Sequence, residues 1–126
     1  MASTPNYTKD PKTSTAIISA ANTNRDGTGT LVTLVTAGTN SSRVERITVT
    51  ATGTTTSGMI RFFVDDGTNI RLWKEINVLP ATPSATVKAF AVELSGLSFI
   101  LQTGRTIKAS THNAESFSLI AEYGDF

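Results

Sequence analysis

GMIRFFVDDGTNIRLWKEINVLP, residues 58–80, is the stretch on which the fold turns. Ile60, Phe62 and Val64 alternate with Met59, Arg61 and Phe63. The turn cluster Asp65, Asp66, Gly67, Thr68 and Asn69 follows, and Ile70, Leu72, Ile76 and Val78 then lie on one face at period two. Two such runs, rich in β-branched and aromatic residues and joined by a short Gly-containing loop, predict a β-hairpin. A hairpin of two strands is barely stable alone in water, so both arms need further strands beside or above them.

The rest of the chain supplies candidates on both sides. Upstream, TAIISA at residues 15–20 and TLVTLVTA at 30–37 read as strands, separated by a loop in which Gly27 and Gly29 can take positive φ. The second of these does not alternate cleanly. Burial on both faces gives such a pattern, and so does a bulge. RVERITVTA at 43–51 is a third strand, with Ile47, Val49 and Ala51 inward and Arg46, Thr48 and Thr50 outward. Downstream, TVKAFAVEL at 86–94 reads as a strand with Phe90, Val92 and Leu94 in register, although its alanines leave a helix open. LSFIL at 97–101, TIKAS at 106–110 and SFSLIAEY at 116–123 complete the set. Eight or so short strands at regular spacing predict an all-β protein, an antiparallel β-sandwich or barrel spanning residues 15–126.

Composition agrees. The chain has 126 residues, the size of one domain, with 39% hydrophobic and 17% charged residues. Threonine is the commonest residue, and it favours strands and turns over helices. Residues 1–14 hold Pro5 and Pro11, which break helices and do not sit in central strands. Two readings stand for this segment: a frayed terminus, or an extended N-terminal arm lying on a neighbouring subunit with Tyr7 as its anchor.

The 11 basic residues are scattered among 10 acids, for a net charge of +1, so no nucleic-acid footprint is visible. There is no Cys, which removes a disulfide framework, a thiolate nucleophile and Cys-type zinc sites. No apolar run approaches membrane-spanning length, and the polar start MASTPNYTKDPKTS does not read as a signal peptide.

Chemistry is sparse. The one histidine, His112, stands in the polar loop THNAE with Ser110, Glu115 and Ser116 nearby, and Ser-rich loops make such neighbours inevitable. DDGTN at 65–69 offers oxygen ligands, but Asp and Gly between two apolar strands are turn chemistry first, and the spacing of a calcium loop is missing. No pair of carboxylates is singled out for glycoside hydrolysis, and no phosphate-binding glycine loop opens a helix. The expectation is a protein that is not an enzyme and carries no cofactor or metal.

Large apolar groups on the outer face carry more information. If Ile70, Leu72, Ile76 and Val78 face the core, Trp73 points away from it. Three readings follow: a subunit contact, a core position reached by a bulge near Lys74 and Glu75, or a sugar platform. Phe63 and Ile120 also fall opposite their inward neighbours. Tyr7, Phe63, Trp73 and Ile120 are therefore the candidate contacts with other subunits or a docking partner, since apolar surface outside one small sandwich is usually covered in use.

Residues 43–80, including ITVTATGTTTSGMIRFFVDDGTNIRLWKEI, and the closing ASTHNAESFSLIAEYGDF at 109–126 resemble segments of small virion structural proteins of tailed bacteriophages. The resemblance covers about two thirds of the chain and brings no defined site motif. It implies a jelly-roll-like sandwich that assembles as a trimer on the major capsid protein, decorating or cementing the phage head, without nucleic-acid or membrane partners. It also implies a protein made in the host bacterial cytoplasm and located on the virion. The alternative is a tail or head fibre module, with Trp73 and polar loops binding carbohydrate.

Overall fold

The computed structural model describes residues 8–126. Tyr7 and the rest of residues 1–7 lie outside the described residues. Nine strands are present there: β1 (Asp10–Ile18), β2 (Val32–Thr36), β3 (Ser42–Ala51), β4 (Gly58–Asp65), β5 (Ile70–Val78), β6 (Ala91–Leu94), β7 (Phe99–Leu101), β8 (Thr106–Thr111) and β9 (Phe117–Asp125). Every pairing between these strands is antiparallel. The first sheet runs β1-β9-β3-β6, with β7 also on β3, and the second runs β2-β8-β4-β5.

The order has a simple logic. β4 pairs with β5, β3 with β6 and β7, β2 with β8, and β1 with β9. The chain is one long nested hairpin with its tip at the Asp65–Ile70 turn, and successive rungs go alternately to the two sheets. The contacts of β9 with β3 and of β8 with β4 then seal each sheet. β6 and β7 meet different parts of β3, so they share one lane, interrupted where Gly96 and Ser98 take positive φ. Eight lanes in two sheets make a jelly-roll sandwich.

Between the sheets lie Val44, Ile47, Val49, Ile60, Phe62, Ile107, Phe117 and Leu119, all fully buried. The two open sides are closed differently. At one, Ser14 Oγ donates to the Leu34 carbonyl at 2.6 Å, tying β1 to β2. At the other, the Trp73 ring of β5 meets Phe99 of β7 with centroids 4.6 Å apart.

Bulges account for each departure from simple alternation. In β2 the register shifts between Thr33 and Val35, so Leu34 and Val35 are both buried. This selects the bulge over a strand buried on both faces. In the β4–β5 pair, Phe62 faces Lys74 but Phe63 faces Leu72, leaving Trp73 as the extra residue. One inserted residue exchanges the faces of everything beyond it. Ile76 and Val78 keep the inward side expected of them, whereas Ile70 and Leu72 are carried to the outer side with Phe63. Trp73 is turned onto the core, the second of its three readings.

Two further differences concern extent. The strand expected over 86–94 is present only as β6 (Ala91–Leu94). Phe90 still packs against the core and meets Phe117 edge-on at 6.4 Å. Asp10 to Ser14, in the stretch expected to be an arm, is extended but paired with β9 from Asp10↔Asp125 onward. Pro11 is tolerated there because β1 is an edge strand.

Candidate interaction surface

The outer face of the first sheet is assembled by register. One row reads Thr15, Ile120, Thr48 and Glu93 across β1, β9, β3 and β6. The next reads Ile17, Ser118, Thr50 and Ala91. Inward positions take Ile18, Leu119, Val49 and Val92, so alternation forces the hydroxyls and the two isoleucines outward. Ile17 is 62% exposed and Ile120 42%. They are diagonal neighbours, and a shallow groove of about 480 Å³ runs between β1 and β9, lined by Thr15, Ala16, Ile17, Ser118, Leu119 and Ile120.

Charge is confined to one end of this face. The Arg46 guanidinium lies 3.2 Å from Glu93 and 3.6 Å from Glu122, so the charges there are mutually paired. At the same end, but at inward-facing positions of β1, β3 and β9, Lys12 Nζ is 2.8 Å from Asp125, whose other oxygen accepts from Ser42 Oγ at 2.6 Å. The Lys12 hydrogen bond, followed by that of Ser42, holds the Asp125 carboxyl below the usual carboxylate range, and the same contact raises Lys12. The centre of the face remains uncharged, made of Thr, Ser and Ile.

The four residues expected at a contact do not share this face. Ile120 is on it. Phe63 is fully buried, a correction to its expected exposure, yet it is not part of the core between the sheets. Its outer face of the second sheet is covered by the β1–β2 connection. Trp73 is half-buried against the core, with Phe99 on its ring and Lys74 Nζ 5.2 Å from the ring centroid. Its ring thus packs within the chain, the core position reached by a bulge. Tyr7 lies outside the described residues. Ile17 was missed, although two adjacent isoleucines in a strand must put one side chain on each face.

The polar clusters resolve as loop architecture. Asp65 Oδ1 accepts from the Gly67 amide at 2.8 Å, and Asp66 Oδ1 accepts from the Thr68 and Asn69 amides at 2.9 and 2.7 Å. The Lys108 ammonium and then the Gly67 amide lower Asp65, while the Asn69 and Thr68 amides lower Asp66. Glu115 Oε2 accepts from the Thr56 amide and hydroxyl at 2.9 and 2.7 Å, and Asn113 Nδ2 donates to Thr56 Oγ1 and the Ser57 carbonyl. Glu115 thus clasps two loops together rather than orienting His112. Among the described residues, no group of three or more His, Asp or Glu side chains is placed to hold a metal ion, and no helix is long and apolar enough to cross a membrane.

No family model matches the chain, and no curated protein matches it. Among solved structures, the chain is similar in fold to one described as "Cyanophage Pam1 capsid asymmetric unit". The TM-score is 0.49 and the identity 13%, covering 100% of this chain and 94% of that one. A likeness of that depth carries no role from one protein to the other.

Proposed function

We propose that this chain is a structural virion protein, a homotrimeric decoration or cement protein of a phage capsid. Its mechanism is burial of weakly apolar surface between copies and against the major capsid protein, with no bond made or broken. The observation that carries the reading is the outer face of the first sheet, which no other element covers among the described residues. A flat surface with an uncharged, hydroxyl-rich centre and two exposed isoleucines suits repeated contact with a like surface. The resemblance of residues 43–80 and 109–126 to small virion proteins supports the setting. Many such weak contacts, multiplied by capsid symmetry, give firm attachment.

Light scattering after size exclusion tests the assembly. A species of three times the 13.4 kDa chain mass is expected, and a strict monomer at high concentration overturns it. Mixing the protein with undecorated capsids tests the partner, with co-sedimentation expected. The fibre alternative predicts attachment to tails or glycans instead, and nothing in the geometry of Trp73 favours it.

A further inference from the structure

The β1–β2 connection crosses the outer face of the second sheet. Its neck is at Asn22, whose amide donates to the Thr111 carbonyl at 2.8 Å beside the Ala21↔Thr111 bridge. The Asn22 side chain then closes the loop on itself, with Nδ2 donating to the carbonyls of Thr28 and Thr30 at 3.0 and 2.9 Å. The tip is a preformed turn in which Thr28 donates from both its hydroxyl and its amide to Asp26 Oδ1. This tip reaches β5 on the far side of the sheet. Arg25 lies 3.3 Å from Glu75 there, and Gly27, at φ 87°, is pressed against Ile70.

Beneath this loop the hydrogen bonding among the described residues is incomplete. Arg61 and Ser110 are opposite one another on the covered face, 4% and 2% exposed. Arg61 Nε and Nη1 and Ser110 Oγ are buried with no hydrogen-bond partner among the described residues. The nearest carboxylate, Glu75, is 3.6 Å from Arg61 Nε and also serves Arg25. Burying a guanidinium with free donors is costly, and water would repay that cost if admitted. Covering Phe63 and Ile70 favours the closed loop instead.

From these opposed terms we infer that residues 24–29 form a hinged flap. It lifts from the second sheet while the sandwich stays folded, with Asn22 as its hinge and the Arg25–Glu75 ion pair as its latch. Local openings of this kind draw on segments outside the hydrogen-bonded ladders. The tip moves as a unit because the Asp26–Thr28 turn is internal to it. The opened flap uncovers Arg61 and Phe63, a cationic and an apolar group hidden in the closed form.

The chain has no cysteine, so Ser110→Cys gives one thiol under the loop and replaces a hydroxyl that has no partner. Labelling of that thiol by a disulfide reagent is expected without denaturant, at a rate almost independent of low urea. Adding Arg25→Ala, which removes the latch but leaves Glu75 for Arg61, is expected to speed labelling about two- to fivefold, the weight of an exposed ion pair. Labelling that follows global unfolding in both variants, with its full urea dependence, overturns the flap. If Ser110→Cys fails to fold, exchange of the Arg61 Nε proton in the unaltered chain decides the matter. Protection, relative to each group's intrinsic rate, lower than that of the Ile60 and Phe62 amides supports the flap, and the same protection and urea slope as those amides overturns it.

Discussion

Trp73 and Phe99 stack across the open side of the sandwich, their ring centroids 4.6 Å apart and their planes tilted by 32°. Trp73 belongs to the edge strand of the second sheet and Phe99 to the outermost lane of the first. The pair spans the two sheets where no backbone hydrogen bond joins them. Trp73→Ala is expected to cost about 2–4 kcal/mol, toward the lower part of the range for large aromatic truncations because the ring is half-buried. A double-mutant cycle with Phe99→Ala by urea denaturation should give a coupling of about 0.5–1.5 kcal/mol. Additive losses would show that the rings do not support one another.

Acid should weaken the fold through a few identifiable carboxylates. Asp125 is lowered by Lys12 and then Ser42, Asp65 by Lys108 and then Gly67, and Asp66 by the Asn69 and Thr68 amides. A carboxyl lowered on folding contributes stability above its unfolded value, about 3.9, and that contribution is lost as pH falls through its folded value. The urea midpoint is therefore expected to hold steady from neutrality to about pH 5 and to drop below about pH 4. Asp125→Asn should cost about 1 kcal/mol at neutral pH and flatten that acid slope. Lys12 acts at the other end: its raised value means that its contribution is complete below its unfolded value and lost only as strongly alkaline pH passes the folded one.

Gly27→Ala tests how tightly the β1–β2 connection is seated. A methyl group there would lie 2.7 Å from Ile70 Cβ, on a backbone with φ of 87°. Steric and conformational penalties act together, and a loss of about 1–3 kcal/mol is expected in thermal or urea denaturation. Gly53, whose added methyl group meets nothing within 4 Å, is the control. Equal effects at the two positions would refute the close seating.

Ile120→Lys separates folding from assembly. The side chain is 42% exposed on the outer face of the first sheet, so monomer stability should change by no more than about 0.5 kcal/mol. Sedimentation velocity should nevertheless show loss of the proposed trimer, since an exposed apolar side chain between Thr15 and Thr48 would be replaced by a charge that a like surface would have to desolvate. A trimer undisturbed by the lysine would move the contact to another surface. The exposed Ile100 of β7 is the next place to substitute.

Strand content and the central hairpin were legible because period-two alternation and turn chemistry are local. Ile47, Val49 and Ala51 went inward as read, and Asp65 and Asp66 bind their own loop's amides as a turn requires. Exposure of Ile120 followed from the same alternation, and that of Ile17 was available from it. The failures share a cause. Which of Ile70, Leu72 and Trp73 faces the core depends on one extra residue in β5, and Phe62 and Phe63 reveal that insertion only through their partners. Phe63 was rightly placed on the outer side of β4, but its burial depends on a loop more than thirty residues upstream.

The order of residues alone determined that this chain makes strands, roughly where most of them lie, and which turns join them, because these depend on neighbours one to four positions apart. Tertiary structure decided which face of the second sheet is hidden, where the bulges fall and which isoleucines remain outside. Those outcomes depend on register between strands distant in sequence, where a shift of one residue exchanges inside for outside.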